Sequence, residues 1–268
     1  MDARVVPASA PRDPQIPEDV FRVEYESAHD GRPDWALLRP PRKGRVWAVM
    51  VHGHGSHGDQ IYTRPDVRGS WLAAFERAGV GVLSPNLRDN GWMAPPAVRD
   101  LRDLLQWTRE HHGAGRFIFF SGSMGGTANL VYAALHPEDV GAAAALGAAT
   151  DMAAYHDWCM RHESGVQREV GLAIASAYGG PPAAAPALYR RHSPLFSAGR
   201  LTMPLFLSHG ECDELMPVGQ MRAMAEALRQ NAAATWLEIR GGGHDSPLFT
   251  EAAIGWFEEM VEKLRAMS

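Results

Sequence analysis

No run in the sequence approaches the ~18 consecutive apolar residues of a membrane helix, so no membrane span is expected. No basic block or basic–aromatic stripe occurs either, and 31 acidic against 26 basic residues leave a formal net charge of −5. Nucleic acid is therefore not an expected partner. The 2 cysteines, Cys159 and Cys212, lie far apart and fit no metal-ligand spacing. They point neither to a structural metal nor to an oxidising compartment. Met1 to Glu18 is rich in proline and charge and lacks an apolar h-region, so it does not read as a signal peptide. The default expectation is cytoplasmic, although a secreted form already trimmed of its signal would look the same. No internal repeat is present.

What is there suits one large α/β domain: 268 residues, 46% of them apolar. Residues 1–19 read as a flexible arm and 20–268 as a single domain. Two strand-like pieces, Phe21–Glu26 and Asp34–Leu38, flank the turn signal His29-Asp30-Gly31. Short apolar runs follow at Val46–Val51, Val80–Leu83, Phe117–Phe120, Ala142–Leu146 and Pro204–Ser208, then the more alternating Thr235–Ile239. Between most of them the period is helical, as in Val98, Leu101, Leu105 and Trp107, or Val218, Met221, Ala225 and Leu228. Met221 and Met224 belong to that core face. Ile254, Phe257, Val261 and Leu264 repeat the pattern near the end. Continuous apolar strands alternating with amphipathic helices predict a mostly parallel central sheet with helices on both faces. The rhythm fails from Ala149 to about Arg200, which is expected to form a small cap insertion (149–200) above the carboxyl edge of the sheet.

The strongest local signal is Phe117-Ile118-Phe119-Phe120-Ser121-Gly122-Ser123-Met124-Gly125-Gly126, followed by a helix-compatible run to His136. A nucleophile elbow needs a buried strand, a sharp turn holding a serine in strained backbone, and a helix starting at once. Gly122, Gly125 and Gly126 provide the room for strand and helix to pass closely. Ser121 stands where the usual G-x-S-x-G has its first glycine, and is small enough to fit. A second element, Leu207-Ser208-His209-Gly210-Glu211-Cys212-Asp213-Glu214, follows an apolar strand and places Asp213 on the carboxyl side of the sheet, with Glu211 and Glu214 as competitors. A third, Arg240-Gly241-Gly242-Gly243-His244, follows the last strand. Of 12 histidines, His244 alone lies beyond that strand, downstream of both serine and acid. The chain order Ser123…Asp213…His244, each just after a strand, is that of a serine triad.

These motifs resemble the α/β-hydrolase superfamily over roughly residues 20–265. Within it, Ser193-Pro194-Leu195 followed by Met203-Pro204-Leu205-Phe206-Leu207-Ser208-His209-Gly210-Glu211-Cys212-Asp213 is similar to the catalytic domain of prolyl-oligopeptidase-like hydrolases and related acetyl esterases. The resemblance implies the α/β-hydrolase fold, with Ser123 as nucleophile, His244 as base and Asp213 as acid, and no metal or organic cofactor. In similar hydrolases a His-Gly turn after an early strand donates one backbone N–H to the oxyanion. In Val51-His52-Gly53-His54-Gly55 that match falls on His54, with Gly55 as the fallback, and the second donor is the N–H of Met124. Peptidases of this type carry a large β-propeller, for which these 268 residues have no room. The expectation is therefore a serine carboxylesterase that acts on a small acyl ester, such as an acetate, through an acyl-enzyme. A serine peptidase or amidase of the same type is the alternative.

His52-x-His54-x-x-His57 supports a rival, since it nearly matches the H-x-H-x-D-H motif of metal-dependent hydrolases, with Ser56 in place of the aspartate. Four further residues are candidates for substrate binding. Arg88 suits either an acidic or polyol substrate or an anchoring salt bridge, and Trp92, Trp158 and Tyr178 suit either a pocket wall or simple packing.

Overall fold

The computed structural model describes residue 1, residues 3–7 and residues 15–267. Among the described residues nine strands form one sheet: β1 (Ala3–Pro7), β2 (Phe21–Glu26), β3 (Pro33–Arg39), β4 (Val46–Val49), β5 (Gly81–Pro85), β6 (Arg116–Gly122), β7 (Ala142–Leu146), β8 (Leu205–Gly210) and β9 (Ala234–Ile239). Their order is β1-β2-β3-β5-β4-β6-β7-β8-β9. The first pairings, through β3 with β5, are antiparallel; from β5 through β4 to β9 all are parallel. Of the arm expected over 1–19, residues 2 and 8–14 lie outside the described residues, whereas Ala3–Pro7 is an edge strand in register with Phe21–Tyr25.

The central strands read as unbroken apolar runs because both of their faces are covered. Side chains alternate across a strand. Trp47, Val49, Phe117 and Phe119 accordingly enter one core, while Val46, Ala48, Ile118 and Phe120 enter the other. The first core is closed by α4 (Pro95–His112) and α5 (Met124–Leu135), the second by α3 (Ala73–Ala78) and α10 (Glu251–Ala266). Proline in the first turn of α4 costs no hydrogen bond there, and Gly113 in left-handed backbone ends the helix. Thr250 caps α10 by accepting from the Ala253 N–H, and Ala253, Phe257, Val261 and Leu264 supply its buried stripe. Met221 and Met224, on α9 (Gly219–Ala227), are fully buried. Among the described residues no helix is long and apolar enough to cross a membrane.

Between β4 and β5 the chain is helical almost throughout from Gln60 to Ala78: α1 (Gln60–Thr63), α2 (Pro65–Val67), a π-type turn Arg68–Leu72, then α3. No helix was expected here, because three register changes within 19 residues blur any single period. Between β7 and β8, in the span expected as a cap, lie α6 (Met152–Met160), α7 (Val166–Tyr178), α8 (Pro186–Arg191) and the 3-10 segment Pro194–Arg200. These enclose a third apolar cluster that includes Tyr155, Cys159, Ile174 and Tyr178.

His192, 2% exposed at the end of α8, donates from Nδ1 to the Met93 carbonyl at 3.0 Å. Burial is the main cause that lowers its pKa to about 4, against the weaker opposing pull of that hydrogen bond. The unfolded chain takes up this proton near pH 6.5, while the folded chain resists until pH about 4. Stability from this group is therefore complete above pH 6.5 and lost as pH falls toward 4, by about 3 kcal/mol. His192→Asn keeps an N–H donor near the Nδ1 position but cannot titrate. Urea midpoints between pH 7 and 4.5 should fall less for this variant than for wild type, and parallel curves would show that His192 is not the group responsible.

Candidate active site

Ser123 sits between β6 and α5 with φ 57° and ψ −127°, a left-handed conformation for a residue with a side chain. Such a residue is strained by about 1–3 kcal/mol and persists where its surroundings over-determine it. Here the Ser123 N–H donates to the Leu146 carbonyl, and its own carbonyl accepts from Thr127. Close packing holds the turn. A Cβ on Gly125 would lie 2.0 Å from the Val51 carbonyl oxygen, and one on Gly122 2.1 Å from Leu248 Cδ2. Gly126 is less constrained, its nearest contact being 3.1 Å. Gly125→Ala must therefore push helix α5 away from the end of β4, where the clash is with backbone and cannot be relieved by a rotamer change. Destabilisation of about 3 kcal/mol is expected, seen as a lowered denaturation midpoint; an unshifted midpoint would contradict this packing.

Ser121, which replaces the usual glycine, has a role of its own. Its buried hydroxyl accepts the Val51 N–H at 2.9 Å and donates to Asn129 Oδ1 at 3.3 Å, while Asn129 Nδ2 donates to the Ala144 carbonyl. One side-chain pair thus ties the end of β4 to β6, α5 and β7, and a glycine would leave the Val51 N–H without this acceptor.

The three chemistry-bearing residues meet across the carboxyl edge of the sheet. Ser123 Oγ and His244 Nε2 are 2.9 Å apart, and His244 Nδ1 and Asp213 Oδ2 are 2.7 Å apart. With Nδ1–H donating to the carboxylate, Nε2 is left to accept from the serine hydroxyl. Asp213 is well supplied with donors: Oδ1 accepts the N–H groups of Leu215 and Met216 at 2.8 and 2.9 Å. Burial by itself would raise this carboxyl, but the hydrogen bonds from His209, His244 and Met216 override it and hold Asp213 well below the usual carboxylate range. Glu211, the first competitor, instead accepts the Gly241 N–H from the surface, and the backbone carbonyl of Glu214, the second, accepts from Gln167.

His209 was not singled out in the sequence, although the i, i+4 spacing to Asp213 was a signal. It is fully buried, with Nε2 2.8 Å from the Met216 carbonyl and 3.2 Å from Asp213 Oδ2. Both neighbours are acceptors, so Nε2 carries the proton; Nδ1 is buried without a partner. His209 thus braces the turn that presents Asp213.

The loop expected to supply an oxyanion donor follows β4. Gly53 N–H donates to Gln60 Oε1 and Gly55 N–H to Asn90 Oδ1, both committed. Gly55, the fallback donor, is therefore occupied. The His54 and Met124 N–H groups have no acceptor among the described residues. The His54 ring accepts from Trp92 Nε1 at 3.2 Å, and burial lowers its pKa.

A cavity of about 260 Å³ opens over Ser123 and His244. One wall is Gln60, Arg64, Val67 and Trp71, all from the broken helical stretch between β4 and β5. Tyr155, Val166 and Val170 of the cap form the opposite wall, with Trp92 and Leu215. Neither wall was foreseen beyond Trp92.

Three proposed substrate-binding residues lie elsewhere. Arg88 lines no part of this cavity and is spent on ion pairs, with Asp100 at 2.6 Å and with both Asp30 oxygens at 2.7 and 2.9 Å. It anchors a strained loop in which Leu87, Arg88, Asp89, Trp92 and Met93 all have positive φ, and which presents Trp92 to the cavity. Tyr178 is buried behind that wall and donates to the Trp92 carbonyl, and Trp158 stacks on the far side of Tyr155. The three-histidine metal site is also corrected. Both His52 nitrogens face backbone carbonyls, of Gly53 and Asn86, and His57 pairs with Asp89 at 3.2 Å. Among the described residues, these imidazoles do not converge on a common point as metal ligands would.

The family profile described as alpha/beta hydrolase fold matches residues 49–170. The chain carries the α/β-hydrolase fold, as its motifs led one to expect. Among solved structures it is similar to puromycin hydrolase, with a TM-score of 0.70 and 20% identity, over 94% of this chain and 40% of that one. It thus spans less than half the length of that protein. It is also similar to S-formylglutathione hydrolase from Staphylococcus aureus, with a TM-score of 0.65 and 15% identity over 90% of this chain and 98% of that one. A third similar structure is an esterase from Pyrococcus furiosus, with a TM-score of 0.65 and 14% identity over 90% and 91% of the two chains. No curated protein matches the chain in sequence.

Proposed function

We infer that the protein is a serine-dependent carboxylic ester hydrolase that acts on small acyl esters through an acyl-enzyme. The observation that carries this reading is the chain of two hydrogen bonds, Ser123 to His244 to Asp213, opening on the cavity. His244 Nε2 takes the hydroxyl proton as Ser123 Oγ bonds to the ester carbonyl carbon. The oxyanion that forms is held by the N–H groups of Met124 and His54, the former at the start of α5, where the helix dipole favours negative charge. His244 then protonates the departing alcohol as its bond to the carbonyl carbon breaks. Water repeats the sequence, and the released acid leaves Ser123 free. The cavity lies below the roughly 300–1,000 Å³ usual for drug-sized ligands, which favours a short acyl chain.

A serine peptidase or amidase is the second reading, favoured by the likeness to puromycin hydrolase. Hydrolysis of p-nitrophenyl esters of increasing acyl length, beside the matching p-nitroanilides, separates the two. Esters should turn over fastest at acetate to butyrate and the anilides far more slowly. Anilide turnover equal to or faster than that of the esters would replace the esterase reading with the amidase one.

A further inference from the structure

We propose that Gln60 is a specificity residue that recognises a hydrogen-bond-accepting oxygen on the substrate close to its scissile bond. The inference rests on the esterase reading and names the chemistry of its substrate. Gln60 is a neutral polar side chain only 7% exposed, set in the cavity wall that faces Ser123. Its amide orientation follows from its partner: the Gly53 N–H donates to it at 2.9 Å, so the oxygen must point there. The Nε2 group, 3.6 Å from where a Cβ on Gly53 would stand, then carries two hydrogens with no acceptor among the described residues, and it is not sealed off from solvent. Water can serve such a nitrogen, but a substrate that displaces the water leaves it unpaired, at a cost, unless the substrate itself accepts from it.

Several other polar groups of the walls are already engaged. Arg64 chelates Asp66 and reaches Asp245, Trp71 Nε1 donates to the Leu248 carbonyl, Trp92 Nε1 to His54, and the Tyr155 hydroxyl to the Leu215 carbonyl. Gln60 also grips Gly53, the residue before the His54 N–H assigned to the oxyanion, and it lines the same cavity as Ser123. An ether, hydroxyl or carbonyl oxygen there, in the acyl chain or in the alcohol, would complete the amide's bonding; a methylene would leave it unpaired.

The test compares pairs that differ by oxygen for methylene. p-Nitrophenyl methoxyacetate against butyrate probes the acyl side, and 2-methoxyethyl acetate against butyl acetate the alcohol side. The readout is the ratio of kcat/KM within each pair, in the variant relative to wild type, which cancels the intrinsic reactivity of the esters. Gln60→Leu removes both the brace and the donor. Gln60→Glu at pH 8 keeps an acceptor for Gly53 but has no N–H. In at least one pair the preference for the oxygen-bearing ester should fall about tenfold in both variants. Ratios unchanged in both pairs, or a fall in Gln60→Leu alone, would reduce Gln60 to a brace of the loop and overturn the proposal. If Gln60→Leu fails to fold, Gln60→Glu decides. Wild-type protein that hydrolyses none of the four esters defeats the esterase reading itself, a result distinct from unchanged ratios.

Discussion

Ser123→Ala is expected to lower kcat/KM for a short p-nitrophenyl ester by about 10⁴–10⁶-fold while leaving the circular dichroism spectrum unchanged. The size follows from what is removed. Without Oγ no acyl-enzyme forms, and His244 is left to activate water that nothing holds in line. A residual rate above that of water should persist, because the His54 and Met124 N–H groups remain. The fold should tolerate the change, since the hydroxyl makes a single protein hydrogen bond, to His244 at 2.9 Å, and alanine can occupy the same strained backbone. Initial rates on freshly purified variant decide the matter. Activity within tenfold of wild type would remove Ser123 from the reaction.

For Asp213→Asn a fall of about 10⁴-fold is expected, and here the loss arises from a proton in the wrong place. The Leu215 and Met216 N–H groups, at 2.8 and 2.9 Å, need an acceptor, so the asparagine oxygen must take the place of Oδ1. The amide nitrogen then faces His244 Nδ1, and two donors cannot share that contact. His244 adopts the tautomer with Nδ1 bare and Nε2 protonated, and so cannot accept from Ser123. The same substitution bears on stability. Because the folded carboxyl lies below its ordinary value of about 3.9, its contribution is complete above that pH and is lost as pH falls below it. Wild type should lose stability below pH about 4 more steeply than Asp213→Asn, as measured by acid denaturation. Near-wild-type kcat in the variant, or identical acid limbs, would count against this account of the carboxylate.

The two large effects fall on residues that the sequence had already marked, and the reason is local. A glycine-flanked serine between an apolar strand and a helix, an acid just past a strand, and a histidine on a glycine-rich loop each announce themselves within about ten residues. Their order along the chain then matches one known arrangement. The strands were legible for the same reason: Phe117–Phe120 is apolar on both faces because β6 lies between two cores. Where several short helical pieces succeed one another, as from Gln60 to Ala78, no single period dominates, and the element that walls the cavity went unread.

Arg88 shows the opposite limit. Charge and position beside the active edge made it a plausible substrate ligand, yet its guanidinium is held by Asp30, 58 residues away, and by Asp100. Whether a charged side chain is free or paired depends on partners that the fold brings from a distance. The same holds for the histidines at 52, 54 and 57, whose spacing suggests a metal site but whose rings are turned to separate partners. The sequence by itself determined the strand–helix alternation and the strand–turn–helix at Ser123, and it singled out Ser123, Asp213 and His244, because these depend on periodicity and turn chemistry between near neighbours. Only the tertiary structure decided which polar groups are already satisfied, which walls enclose the cavity, and that the Gln60 amide lines it beside Ser123. Those are properties of residues that meet in space, as Ser123 and His244 do across 121 positions of chain.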